Sequence, residues 1–166
     1  MLLIESMKVN NDDTYKTLIK KRIVYGGGGI IPDYFIPLDT NGTSPYFSKL
    51  IRKGIFNQFA LYWVNNNRSV LEKKYPTFDV FNSKFNSKHI IKELISYAEK
   101  ENVEFNEEEY NDAEKTINVR LKANIAQDLF DYEQFYQVIN ELNNTLQKAI
   151  LLIENEEAFS KLASNK

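Results

Sequence analysis

The sequence predicts a mainly α-helical protein, a bundle of three to four helices with a short N-terminal extended or β-hairpin arm. Two observations lead to this prediction. From residue 45 onward, apolar residues recur at steps of three and four, which places them on one face of a helix. Before residue 41, four of the six glycines and two of the four prolines cluster, which is typical of turns and extended segments.

The arm comprises residues 1–40 and is predicted to hold a strand, a glycine turn and a second strand. The segment Ile23–Tyr25 is rich in β-branched and aromatic residues, and so are residues 34–36. Pro32 and Pro37 restrict the second piece to the edge of a sheet or to an irregular extended segment, because proline lacks the amide that a central strand donates. Since an isolated two-stranded ribbon is only marginally stable in water, we expect the arm to complete a larger sheet.

The helical region begins with a helix predicted over 45–66. Ser44 is a favourable N-cap residue, and Pro45 suits the first helical position. A run of three asparagines marks the predicted end of this helix, because asparagine is a weak helix former. Thr77 is expected to cap a short helix over 78–81.

Three further helices are each predicted to follow a capping residue. They run over 88–100 after Ser87, from Asn106 to Leu129, and over 132–154 after Asp131. Glu109, three residues after Asn106, completes the pattern of a capping box. The apolar stripe of the last helix consists of Phe135, Val138, Ile139, Leu142, Leu146, Ala149, Ile150 and Ile153.

Composition excludes several classes of site. The chain has no cysteine and one histidine, so it contains neither a thiolate nor a multi-histidine metal site. We expect no metal and no cofactor. The net charge of −2 disfavours a nucleic-acid partner. No apolar run reaches the roughly 18–20 residues of a membrane span, and the N-terminus lacks the pattern of a signal peptide.

Charge is unevenly distributed along the chain. Residues 1–92 carry a net charge of +7, and residues 93–166 carry −9. Eight Asp and Glu residues lie within 99–114, but no glycine accompanies them, so we interpret this run as a solvated helix start and not as a calcium loop. The basic cluster of Lys16, Lys20, Lys21 and Arg22 is interpreted as solvent-facing charge beside a strand.

The glycine run at 26–29 is the first candidate for chemistry. A phosphate-binding loop would need a Gly-Lys-Ser continuation and a helix start, and neither follows here. We therefore interpret the run as a closely packed backbone turn. Asp33 is expected to bond amides of that turn, and His89 is expected at the surface without a catalytic partner.

Residues 22–39 carry a family resemblance. They read Arg-Ile-Val-Tyr-Gly-Gly-Gly-Gly-Ile-Ile-Pro-Asp-Tyr-Phe-Ile-Pro-Leu-Asp. This segment resembles the end of the catalytic domain in bacterial C-terminal processing peptidases, also called tail-specific proteases, a serine-lysine family. The matching structural signature comprises Tyr25, Gly26, Gly27, Gly28, Gly29, Pro32 and Asp33. The resemblance covers most of the chain and is strongest over 15–63, although Lys21 stands where many relatives have glycine.

The resemblance implies that the nucleophilic serine, the general-base lysine and the substrate-binding PDZ domain lie upstream of the glycine signature. No residue of this chain then takes a catalytic role, and we expect no peptidase activity from it alone. Residues 1–40 would be the end of the peptidase core, and residues 41–166 a helical C-terminal domain. The parent would cut exported proteins in the periplasm or cell envelope.

The expected partners are the upstream peptidase core of the parent and, through residues 18–37, a second copy of the chain. The chain would be either a fragment or an inactive paralogue. Two alternatives stay open. The first is a helical protein-binding module that associates with a peptidase or with itself, and the second is an independent enzyme acting at the glycine turn.

Overall fold

The computed structural model describes residues 14–19, 21, 23–25, 34–37 and 42–164. Most of these residues are helical, so the predicted mainly α fold is confirmed. The chain divides into two compact units: residues 39–144 form one, which we call the helical unit, and residues 1–38 with 145–166 form the other, which we call the arm unit.

The helical unit holds six α-helices. They are α1 Pro45–Arg52, α2 Ile55–Lys74, α3 Phe78–Lys84, α4 Ile91–Lys100, α5 Glu107–Leu129 and α6 Tyr132–Ile139, with 3₁₀ turns at Ser87–Ile90 and Asn140–Leu142. The arm unit holds strands β1 Thr14–Lys16 and β2 Ile23–Tyr25, helix α8 Glu156–Ser164 and nearly all of α7 Asn144–Glu154.

The single helix predicted over 45–66 is wrong, because two helices meet at Gly54. Ser44 does cap the first of them, and its Oγ accepts from the amide of Phe47 at 3.2 Å. Gly54 has φ +66°, a left-handed conformation that ends α1 and begins α2 in a new direction. Helix α2 then continues past the three asparagines, and Asn67 donates its side-chain amide to the carbonyl of Trp63.

The helix predicted to begin at Ser87 is also different. The chain first makes a 3₁₀ turn, in which Asn86 is the cap and accepts from the amide of Lys88 at 2.9 Å. Ser87 is buried instead, and its Oγ lies 2.9 Å from both the main-chain and the side-chain oxygen of Asn118. Burial against α5 therefore decided the role of this serine, which its local sequence assigned to a cap.

Helix α5 is the centre of the helical unit and packs against α1, α2 and α6. Its predicted cap is confirmed, since Asn106 Oδ1 accepts from the amide of Glu109 at 3.0 Å. The apolar pattern of this segment predicts a stripe of Tyr110, Ala113, Ile117, Leu121 and Ile125; Tyr110 is half-buried, and the other four side chains are removed from solvent. The periodicity of this segment thus predicted both the helix and its buried face.

The last helix, predicted over 132–154, is interrupted. Asp131 caps α6 as expected, because its Oδ1 accepts from the amide of Tyr132 at 2.6 Å. The 3₁₀ turn Asn140–Leu142 and the following Asn143 then separate α6 from α7. Of the predicted stripe only Val138 is fully buried, and Ile150 and Ile153 are exposed.

The arm unit contains an antiparallel strand pair, but not the pair that the sequence suggested. Strand β2 pairs with β1, which precedes it, with Tyr15 opposite Val24. Residues 34–37, which include the β-prone run at 34–36, adopt no regular structure, in agreement with the irregular segment that the prolines also allowed. A loop of six residues between β1 and β2 closes a hairpin at a lower entropic cost than a longer connection would, and Pro37 removes one of the donors that a strand at 34–37 would need.

Candidate functional site

The glycine segment that resembles the peptidase signature is only partly within the described residues. Tyr25 is the last residue of β2. The other signature positions, Gly26, Gly27, Gly28, Gly29, Pro32 and Asp33, lie outside the described residues. The predictions of a tight glycine turn and of an amide-bonding Asp33 therefore stay predictions.

His89 is exposed on the 3₁₀ turn before α4, as expected. Its Nδ1 is hydrogen-bonded to the main-chain oxygen of Asn86. The ring makes edge contacts with Phe85 and Trp63, with centroids 5.5 and 6.3 Å away. The imidazole thus packs on buried aromatic rings and bonds the main chain, which is a structural role.

The acidic start of α5 faces solvent. Glu107 and Glu108 are exposed in the first helical turn, where negative charge stabilises the helix dipole. Further along the helix, Glu114 forms an ion pair of 2.9 Å with Lys88, which raises the pKa of Lys88. Within the part of the chain that the structure describes, no group of three or more His, Cys, Asp or Glu residues is placed to hold a metal ion.

The loop between β1 and β2 carries the most exposed large apolar side chains of the described residues. Leu18 is 88% exposed and Ile19 is 92% exposed. Lys16 and Lys21 beside them are also exposed. Lys21 has φ +53°, and its amide donates to the carbonyl of Thr17 at 3.1 Å. We call residues 16–22 the arm tip.

Sequence reasoning missed an aromatic cluster on α6. The exposed rings of Tyr132 and Tyr136 are perpendicular, with centroids 5.2 Å apart, and their hydroxyls are 3.0 Å apart. The half-buried ring of Phe135 contacts both, and the guanidinium of Arg120 lies 5.1 Å from the Phe135 centroid. The spacing of the three rings at i, i+3 and i+4 was the available signal, but the predicted core stripe included only Phe135 of the three.

Two buried polar groups have structural consequences. The Tyr46 hydroxyl is buried without a hydrogen-bond partner, and burial, together with the negative charge of Glu99, raises the pKa of Tyr46 to about 12. Lys122 donates to the carbonyl of Asn82 at 2.8 Å and lies 3.8 Å from a carboxylate oxygen of Glu141. Burial lowers the pKa of Lys122. The contacts of this side chain link α5 to α3 and to the second 3₁₀ turn.

The two units differ most in burial. Every side chain that is fully buried among the described residues lies between Ser44 and Val138, in the helical unit. In the arm unit the described large apolar residues are exposed or half-buried, including the cross-strand pair of Tyr15, 61% exposed, and Val24, 43% exposed. Among the described residues no helix is both long and apolar enough to cross a bilayer.

A family model matches residues 46–131, just over half of the chain, and is described as a family of unknown function (DUF8443). The chain belongs to this family. No curated protein and no solved structure matches it. The matched segment begins at the buried Tyr46 and ends at Asp131, so it comprises α1 to α5 and the cap of α6. The DUF8443 region therefore coincides with most of the buried core.

Proposed function

We propose that this chain is the non-catalytic C-terminal region of a C-terminal processing serine peptidase. In this proposal the arm is the end of the peptidase core, and the DUF8443 helices form an accessory domain beside it. The support from sequence is the resemblance of the segment from Tyr25 to Asp33 to the family's glycine signature. By the same resemblance the parent is located in the periplasm or cell envelope and acts on exported proteins.

The observation that carries the proposal is the uncovered apolar surface of the arm. Strands β1 and β2 have three residues each, and the paired side chains of Tyr15 and Val24 are exposed. A two-stranded ribbon needs further strands or a packed face to be stable, and unpaired strand edges are templates for additional strands. A peptidase core that continues this sheet would meet both needs.

Three of the six serines of the helical unit have structural hydrogen bonds, which is consistent with a non-catalytic role. Ser44 accepts an amide at the start of α1, Ser83 donates to the carbonyl of Asp79, and the buried Ser87 donates to Asn118. A serine nucleophile requires a base within hydrogen-bond reach. These three hydroxyls instead bond main-chain groups of the helices that they stabilise.

The first experiment asks whether the chain by itself has a reactive serine. We expect the purified 166-residue protein to show no labelling by a fluorophosphonate probe and no cleavage of an unstructured protein substrate. Labelling or cleavage that disappears when one serine of this chain is replaced by alanine would contradict the proposal.

The second experiment asks whether the helical unit is part of a larger peptidase in its native cells. An antibody raised against residues 42–144 is expected to detect, in the envelope fraction, a product well above 19.4 kDa that reacts with the fluorophosphonate probe. A native product of 19.4 kDa that is bound to no probe-reactive protein would overturn the proposal.

The aromatic cluster on α6 favours a second candidate, a helical module that binds a peptidase or a second copy of itself. Tyrosine and arginine are the residues most enriched at energetically important interface positions, and Tyr132, Tyr136 and Arg120 lie together here. In this case sedimentation velocity should show concentration-dependent association, alone or with a separately expressed peptidase core. The double variant Tyr132→Ser/Tyr136→Ser should abolish it, whereas Tyr62→Ser, which removes an exposed ring from α2, should not.

A further inference from the structure

The arm tip combines two features that are seldom adjacent on a protein surface. Its two aliphatic side chains, Leu18 and Ile19, are almost completely exposed. Four of the seven residues at 16–22 are basic, and no acidic residue lies between 14 and 32. The rest of the chain is acidic in balance, so this positive charge is local.

The hairpin places these features together at one end of the strand pair. Leu18 and Ile19 lie in the connection between β1 and β2, and therefore at the closed end of the ribbon. Lys16 precedes them at the end of β1, and Lys21 follows them in a left-handed conformation. An exposed aliphatic pair flanked along the chain by Lys16 at the end of β1 and by Lys21 in the loop combines the two chemistries of a bilayer surface, in which acyl chains lie beneath charged headgroups.

We propose that the arm tip binds an anionic lipid surface. Leu18 and Ile19 enter the boundary between headgroups and acyl chains, and the neighbouring lysines bind lipid phosphates. The binding is peripheral and reversible, because two aliphatic side chains and a few cations form a weak anchor.

The observations favour lipid over two other partners. Nucleic acid offers phosphates but little apolar surface for an aliphatic pair at the point of contact. A second copy that met this tip symmetrically would bring its own Lys16 and Lys21 against the first pair, and like charges repel. A peptidase core that continues the sheet would contact the strands and leave the loop free, so this inference goes beyond the proposed function and does not rest on it.

The test is co-sedimentation of the full chain with vesicles. We expect binding to phosphatidylcholine vesicles that contain phosphatidylglycerol, weaker binding to phosphatidylcholine alone, and loss of binding at high salt. Leu18→Ser/Ile19→Ser should lower the partition coefficient at least about 10-fold, and Lys16→Gln/Lys21→Gln should lower it roughly 30-fold.

Matched controls come from the exposed face of α2. Leu61→Ser removes an exposed aliphatic side chain, and Lys73→Gln/Lys74→Gln removes two exposed cations. Both should bind vesicles as the parent chain does, and circular dichroism should show unchanged helix content in every variant.

Three results would overturn the proposal. Equal binding to both kinds of vesicle, or none, would remove the anionic surface as partner. Equal losses in the tip and control variants would place binding elsewhere. A change of mass in light scattering of the tip variants without lipid, in the absence of vesicle binding, would make the tip a protein contact.

Discussion

Large apolar side chains are mostly buried in the helical unit but mostly exposed in the described part of the arm unit. In the helical unit the large side chains of α1, α2 and α5 face one another and are removed from water. In the arm unit such residues are mostly exposed, on the strands, the hairpin loop and α7. Since burial of apolar surface is the main favourable term in folding, the helical unit has its own source of stability, and the described residues of the arm unit form no comparable buried core.

The strongest test of this comparison is a pair of truncations, one in each unit. Phe59→Ala removes a fully buried ring that packs on Tyr97, and it should lower the free energy of unfolding by about 3–5 kcal/mol. Ile153→Ala, on the exposed face of α7, should change it by less than about 0.5 kcal/mol. Urea unfolding followed by circular dichroism measures both. Similar losses at the two positions would show that the arm unit has a core of comparable weight.

Substitutions at Gly54, between α1 and α2, test whether the stability of the helical unit depends on a backbone conformation as well as on burial. Gly54→Ala places a Cβ at φ +66° and should destabilise the unit by roughly 1 kcal/mol, because non-glycine residues are strained in this conformation. Gly54→Asn should cost less, since asparagine tolerates it better. Thermal unfolding of the two variants gives the order, and equal midpoints for Gly54→Ala and the parent would contradict it.

The buried hydroxyl of Tyr46 on α1 is predicted to destabilise the folded protein. Tyr46→Phe should raise the free energy of unfolding by about 1 kcal/mol, because it removes a buried group that has no partner.

The same variant has a predicted pH dependence. Burial raises the pKa of Tyr46 to about 12 in the folded state, above the value of about 10 expected for an unfolded chain. The unfolded state therefore loses its proton first, and the contribution to stability is fully present below pH 10 and lost as pH rises towards 12. Alkaline unfolding of Tyr46→Phe should lack this component, and identical pH profiles would refute the assignment.

The smallest effect is expected in the arm. Lys21→Gly relieves the left-handed conformation at φ +53° and should strengthen the hairpin by about 0.5–1 kcal/mol. The effect should be local, seen as slower hydrogen exchange of the residue 21 amide that bonds Thr17, with no change in the global unfolding of the helices. A shift in global unfolding of the same size would mean that the two units unfold together.

Comparison of particular elements shows which features the sequence made predictable. The caps at Ser44, Thr77, Asn106 and Asp131 were all found, because each depends on a side chain that bonds an amide within three residues of itself. The cap at Ser87 was wrong, because a buried contact with Asn118 on another helix competed for the same hydroxyl. Local chemistry predicts well where no distant partner intervenes.

The candidate surfaces also differ in whether the sequence made them predictable. The glycine signature and the basic run were visible as residue types in order, and the solvated start of α5 followed from its charge pattern. The aromatic cluster on α6 was not, because the predicted apolar stripe of this helix included Phe135 but neither Tyr132 nor Tyr136. Only the break after Ile139 and the packing of Val138 inward left Tyr132 and Tyr136 at the surface.

What the amino-acid sequence determined by itself is the helical class of the protein, its capping residues and the buried stripe of α5. These features depend on interactions within a few residues and on the 3.6-residue period of the α-helix. Neither depends on which element packs against the helix. Tertiary structure decided that Ser87 is buried against Asn118 and does not act as a cap, which strand pairs with β2, and which apolar faces stay in water. Those outcomes depend on free-energy differences between competing long-range contacts, and no local pattern contains the residues on both sides of such a contact.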